Sequence, residues 1–284
     1  YTHGLLGCPP EAFVDERVEP ECGDVLLGLD ISGDMLVQAE RAGLFADYRN
    51  RGVTVYSVVF DLLPVRMPEV FPPGTDQIHA RWLQTVAKFD GAICISKAVA
   101  DDLVAWQEAA GFAWQDRRPF RVGWFHLGAD VANSAPSVGL PDNAEWMLGQ
   151  LRARPGFLMV GTIEPRKGYL QTIEAFSQLW REGVDVNLVI VGSKGWRGLP
   201  DDMRRDIPTT IDRLRTHPEL NKRLFWLEGI SDEYLEKVYA ASTCLIAASY
   251  GEGFGLPLIE AAQHKLPIIA RDIPVFREVA GEFA

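Results

Sequence analysis

Five short apolar runs, at residues 157–160, 186–191, 224–227, 243–247 and 267–270, are separated by stretches whose apolar residues recur at helical spacing. Short strands that alternate with helices predict a parallel, doubly wound α/β sheet, because each parallel strand needs a crossover to reach the next. Ligands of such sheets bind beyond the carboxyl ends of the strands. The loops that follow those ends carry Gly161, Gly192-Ser-Lys-Gly-Trp196, Gly229 and the glycines of 251–255, so the candidate residues converge on one edge. The first half of the chain has the same pattern in a less explicit form. Residues 24–30, 53–61, 92–95 and 120–125 read as strands, and residues 35–46 and 78–89 have helical spacing.

Two loops carry chemistry. The string Ser249-Tyr-Gly-Glu-Gly-Phe-Gly-Leu-Pro-Leu-Ile-Glu-Ala-Ala262 puts Glu252 in a glycine-rich turn and Glu260 on the helix that follows. Gly251, Gly253 and Gly255 leave the backbone free to take positive φ and admit a ligand where a Cβ would stand. The helix start offers unpaired N–H groups and a positive dipole end to a phosphate. The second loop, Gly161-Thr-Ile-Glu-Pro-Arg-Lys-Gly168, also joins a strand to a helix. Cations at Arg166 and Lys167 oppose the dipole of that helix unless something negative lies close, and a bound diphosphate supplies it. Arginine presents a planar fork to phosphate oxygens and lysine a movable point charge.

Together these strings resemble the two signatures of the retaining family 4 (group 1) glycosyltransferases, in the expected order within one domain. The resemblance implies the GT-B architecture: two Rossmann-like doubly wound domains facing a cleft, the acceptor on the first and the nucleotide-sugar donor on the second. By resemblance, Arg166 and Lys167 hold the diphosphate and stabilise it as a leaving group. Glu252, with the backbone around Gly253, Phe254, Gly255 and Leu256, holds the hexose, and Glu260 bonds the ribose. Gly161 and Gly192 lie near the donor and residues 228–235 near the base. Trp196 reads equally as a packing residue or a ligand contact. On the acceptor side, Phe60-Asp-Leu-Leu-Pro64 is similar to a His-Asp-Leu segment of the family. Phe60 replaces the histidine and cannot donate a hydrogen bond, which leaves Asp61 as the candidate facing the cleft. Ser96 fits a family serine that follows a strand, and helix capping alone explains it as well.

His126-Leu-Gly-Ala-Asp130 marks the close of the first domain in many relatives. The expected organisation is an acceptor-side domain over 1–133, a linker over 134–152 with Pro136, Gly139 and Pro141 breaking periodicity, and a donor domain over 153–284. Both domains read as incomplete, because the usual glycine-rich opening strand and the closing cross-over helix of relatives are not found. Closure across the linker would exclude water from the activated sugar.

With 28 basic and 39 acidic residues the net charge is −11, and residues 1–133 hold 11 basic against 19 acidic. That argues against nucleic acid as a partner and against a polybasic membrane patch on the acceptor-side domain. No run of 18 apolar residues predicts a membrane span. Cys8, Cys22, Cys94 and Cys244 have no metal spacing, and the last two lie in apolar strands as packed thiols. A cytoplasmic site fits, including the cytoplasmic face of the inner membrane.

The expected reaction is transfer of a hexose with retention, independent of metal and without a cofactor, the cationic side chains taking the place of a divalent ion. GDP-mannose is the first choice of donor, on the likeness to bacterial O-antigen mannosyltransferases, with GDP-rhamnose and UDP-hexoses as alternatives. The expected acceptor is an oligosaccharide on a lipid carrier. A nucleotide-sugar epimerase would need a proton-transfer set that is not found, and a phosphorylase would need a pyridoxal lysine. The remaining alternative is a non-catalytic subunit that binds a glycan or nucleotide sugar.

Overall fold

The computed structural model describes residues 9, 18–29, 33–111, 119–128 and 136–281. Cys8, the expected strand end at Asp30, the last two residues of His126–Asp130 and the start of the expected linker lie outside the described residues.

The first domain runs β1 (Val25–Gly28), α1 (Gly33–Arg41), α2 (Leu44–Asn50), β2 (Thr54–Val59), α3 (Leu63–Arg66), α4 (Thr75–Val86), β3 (Gly91–Cys94), α5 (Lys97–Ala109) and β4 (Arg121–Trp124). Its strands form a parallel sheet in the order β1-β2-β3-β4. Alternate residues of the sheet, Val55, Val59, Ala92 and Cys94, pack on Trp82, Leu83 and Val86 of α4 and on Val99 and Leu103 of α5. The helix expected over 35–46 is two helices, because Gly43 takes a left-handed conformation (φ 80°) that ends the first and opens the second.

The second domain runs α6 (Ala144–Arg152), β5 (Gly156–Val160), α7 (Tyr169–Arg181), β6 (Asn187–Val191), α8 (Ile207–Thr216), β7 (Leu224–Leu227), α9 (Asp232–Ala241), β8 (Cys244–Ala247), α10 (Leu256–Gln263), β9 (Ile268–Ala270) and α11 (Pro274–Ala280). The five strands are parallel in the order β7-β6-β5-β8-β9. Each face is covered: Leu158, Val189 and Phe225 point toward α6 and α9, while Met159, Leu188 and Ile190 point toward α7 and α8. Within the span expected as linker, residues 144–152 are helical, and Ala144, Met147, Leu148 and Leu151 bury one face in this core.

Chain order proceeds outward from β5 through β6 to β7, then returns to place β8 on the other side of β5. The crossovers after β5 and β8 therefore diverge and leave a crevice between their carboxyl ends.

Among the described residues, hydrogen bonds join the domains at two places. In one, Ser96 donates to the Gly253 carbonyl at 2.8 Å, and Glu278 of α11 accepts from the Lys97 and Ala98 amides at 2.6 and 2.8 Å. His126 bonds to the same carboxylate at 2.7 Å. In the other, Arg205 donates to the carbonyls of Phe71 and Pro68, and the Phe71 and Trp196 rings lie 6.1 Å apart.

Candidate active site

The turn after β5 and the turn after β8 face each other across the crevice and are joined by ion pairs. The Pro165–Lys167 turn points both cations at one carboxylate. Arg166 Nη1 donates to Glu252 Oε2 at 2.6 Å and Lys167 Nζ to Glu252 Oε1 at 2.5 Å. Ser249 Oγ adds a bond to the same Oε1 at 2.7 Å, while Arg166 also reaches Glu164 at 2.9 Å and the Gly251 carbonyl at 3.0 Å. The group is largely dry, with side-chain exposures of 16% for Arg166, 15% for Lys167 and 11% for Glu252.

Burial pushes the Glu252 carboxyl up, but the adjacent charges of Lys167 and Arg166 and their hydrogen bonds outweigh it and hold the group below the usual carboxylate range. Burial opposes the charge on Arg166, and Glu252, Glu164 and Asp61 more than compensate. Two cations thus face two carboxylates within bonding distance, with a third, Asp61, contributing from the other domain. Tyr169, buried at the start of α7, donates to the Gly161 carbonyl at 2.5 Å and fixes the end of the β5 loop.

Gly192 is required by the neighbouring loop. A Cβ there would lie 1.8 Å from the Gly161 carbonyl oxygen, so the loops after β5 and β6 touch through bare backbone. Of the three glycines beside Glu252, only Gly255 has positive φ, at 103°. Gly251 and Gly253 are kept small by the first domain: a Cβ on Gly253 would meet the Phe60 carbonyl at 2.2 Å, and one on Gly251 would meet Leu63 and Met67.

The remaining predicted residues are distributed around this cluster. Glu260 lies on α10, where its Oε2 accepts from Tyr239 at 2.6 Å. Leu256 opens α10 and is exposed, and Pro257 removes one amide from that helix start. Phe254 is buried against Val58 and Ile95 of the first domain. Ser96 is buried as well, accepting from the Val99 amide as the cap of α5 while donating to Gly253. Asp61 closes a turn by accepting from the Leu63 amide at 2.9 Å, and its carbonyl accepts from His79 Nε2 at 3.1 Å. Trp196 has left-handed φ and stands at the domain boundary, and Glu228 pairs with Arg197 at 3.1 Å.

Glu164, Ser249, Tyr169 and His79 were not singled out from the sequence. Glu164 and Ser249 carry a local signal, since each lies two or three positions before its partner inside a loop already marked as chemical. Tyr169 looks like an ordinary first helical residue, and His79 is eighteen positions from the carbonyl it bonds.

Among the described residues, no group of three or more His, Cys, Asp or Glu side chains is arranged to hold a metal ion. No helix of the described residues is long and apolar enough to cross a membrane.

Comparison with known proteins bears on this geometry. Residues 149–284 match the family model for glycosyl transferases group 1. Over 278 residues the chain is 47% identical to the serotype-specific mannosyltransferase WbdA of Escherichia coli, an alignment covering 97% of this chain and 33% of that protein. The O-antigen chain mannosyltransferase B of Escherichia coli is 30% identical over 54% of this chain and 37% of its own. The chain thus spans about a third of the length of these relatives. Among solved structures, a UDP-forming α,α-trehalose-phosphate synthase from Burkholderia vietnamiensis matches with a TM-score of 0.62, covering 88% of this chain and 56% of its own at 14% identity, a likeness of fold. Residues 149–284 of the chain belong to the group 1 glycosyl transferases, and its two parallel α/β domains have the GT-B arrangement.

Proposed function

We propose that this chain transfers a hexose, mannose, from GDP-mannose to a glycan acceptor in the synthesis of a bacterial surface polysaccharide, with retention at the anomeric carbon. The observation that carries the reading is the convergence of Arg166 and Lys167 on Glu252 in the crevice between β5 and β8. The similarity to mannosyltransferases supports the choice of sugar.

Breaking a glycosidic bond to a diphosphate develops negative charge on the leaving oxygens, and donors already aimed at that charge lower the barrier most. Arg166 and Lys167 are such donors. Their charge is balanced within the protein by Glu252 and Glu164. An arriving diphosphate competes with Glu252 for both cations and frees its carboxylate to accept from sugar hydroxyls. Glu252 in this reading exchanges one set of donors for another, and Gly161, Gly253, Gly255 and Leu256 contribute backbone to the same pocket. Glu260, held by Tyr239, takes the ribose. Asp61 faces the acceptor from the first domain. Ser96 and Phe254 act by closing the domains, since both are buried in that contact. No metal or cofactor has a part: the cationic side chains serve the diphosphate directly. The acceptor is an oligosaccharide on a lipid carrier, used at the cytoplasmic face of the membrane.

Thermal unfolding with GDP, UDP, ADP, GDP-mannose and UDP-glucose, with and without EDTA, tests this reading. A ligand at 100 times its dissociation constant adds about 2.7 kcal/mol to the native state. A GDP-selective rise that EDTA leaves unchanged and Glu260→Ala abolishes is expected. A rise with UDP-glucose alone, or one that EDTA removes, defeats the GDP-mannose or the metal-free part respectively. The anomer of the product, read by NMR, tests retention.

A further inference from the structure

Beside the loop that carries Glu252 lies a cavity of about 140 Å³ whose lining includes neither Arg166 nor Lys167. Its walls come from both domains. Arg66, Met67 and Asp102 belong to the first, and Tyr250, Gly251, Glu252, Pro274 and Val275 to the second. It therefore exists only while the domains are together, and the bonds from Lys97 and Ala98 to Glu278 hold them so beside it.

Size and chemistry limit what it takes. Pockets for drug-sized molecules run from about 300 Å³ upward, so this one suits a single small ring rather than a nucleotide. Arg66 and Asp102 form an ion pair on its wall. The pair presents donors beside an acceptor and has no net charge, so it does not favour an anion. Adjacent hydroxyls, each both donor and acceptor, match it. Asp102 is partly withdrawn from water: burial pushes its carboxyl up, against the opposing effect of Arg66. A hydrogen bond made there is stronger than one made in bulk solvent. Met67, Pro274 and Val275 offer apolar surface to C–H groups. Tyr250 is 44% exposed, and Arg271 covers one face of its ring at 4.0 Å.

We propose that this cavity binds one neutral pyranose ring, the terminal sugar of the acceptor, with Arg66 and Asp102 reading adjacent hydroxyls and Tyr250 forming part of the wall beside Glu252. The assignment of the ring to the acceptor rests on the transferase reading above.

Saturation-transfer NMR of the wild-type chain with methyl α-mannopyranoside, methyl α-glucopyranoside and methyl α-rhamnopyranoside, without nucleotide, tests the site. Binding of at least one glycoside is expected, weakened about tenfold or more in Asp102→Asn and in Tyr250→Ala, as the loss of a bond to a charged group or of a contact wall implies. The unfolding midpoint of each variant establishes that it is folded, and if one is not, the other decides. Absence of binding by all three glycosides, or wild-type binding in the folded variants, overturns the proposal. A parallel GDP-mannose titration separates the two readings. Nucleotide binding with no glycoside binding removes this cavity alone, whereas variant-sensitive glycoside binding with no nucleotide binding upholds the cavity and removes the donor site.

Discussion

At the scale of single residues, Glu252 is the point where charge, burial and backbone constraint meet. Its two oxygens take bonds from Arg166, Lys167 and Ser249, and its neighbours Gly251 and Gly253 have no room for a side chain. Arg166 is anchored twice besides, to Glu164 and to the Gly251 carbonyl, so its guanidinium is held in place by the protein itself. That preorganisation sets the size of its expected effect. Arg166→Ala is expected to lower turnover by roughly 10²- to 10³-fold, the loss produced by removing one aimed donor. Turnover within a few fold of wild type in a steady-state assay would take Arg166 out of the mechanism. Removing the guanidinium also leaves Glu252 with Lys167 as its one charged partner, so an unfolding curve of the same variant separates lost chemistry from lost stability.

At the scale of elements, strands and helices of the second domain were legible because β5 to β8 are mostly buried and read as apolar runs, and β9 reads as one although its Ile269 is exposed. The run expected over 224–227 coincides with β7, and the other four differ from β5, β6, β8 and β9 by one residue at the start. One cap was legible from its place after a strand: Ser96 precedes α5 and accepts from the Val99 amide at 3.1 Å. Ser231, which the sequence reading did not single out, does the same for α9, accepting from the Tyr234 amide at 3.1 Å. Ser231→Ala is expected to cost about 1 kcal/mol, the usual loss for an N-cap, measured by urea unfolding. An unchanged midpoint would mean that solvent replaces the hydroxyl at no cost. What the sequence did not reveal depends on contacts without local pattern. Glu278 reaches amides 180 and 181 positions earlier, and nothing in the neighbourhood of either partner announces the other. The glycines at 251 and 253 were legible as places that refuse a side chain, but the reason is the first domain pressing on them, where a ligand was expected.

At the scale of the whole molecule, the direction of its acid sensitivity follows from two histidines held neutral in the fold. Burial lowers the pKa of His79, against the pull of Asp61. Burial does the same to His217, with Arg213 adding to the fall while Glu219 and Glu174 oppose it. An unfolded histidine titrates near pH 6.5, so below about that pH the unfolded chain binds protons that the native chain refuses. Both contributions to stability are therefore complete above about pH 6.5 and lost as pH falls. Glu252, held below the usual carboxylate range, extends the loss toward lower pH, and Asp102, pushed up by burial, works against it. The unfolding midpoint is expected to drop between about pH 7 and pH 5.5, and His79→Gln should flatten part of the drop. A midpoint that rises on acidification would reverse the sign for the molecule.

The carboxylate of Glu278, set across the first two amides of α5, gives the chain a clock for its own opening. Those amides have no partner within their helix, so they are shielded from solvent deuterons only while the second domain rests on the first. Their exchange, followed residue by residue, measures how often the domains part and what that separation costs. A nucleotide that draws the domains together is expected to slow Lys97 and Ala98, leaving amides in the middle of α5, bonded within the helix, nearly unchanged. Motion between the domains is thereby recorded by two hydrogen atoms that take no part in any reaction.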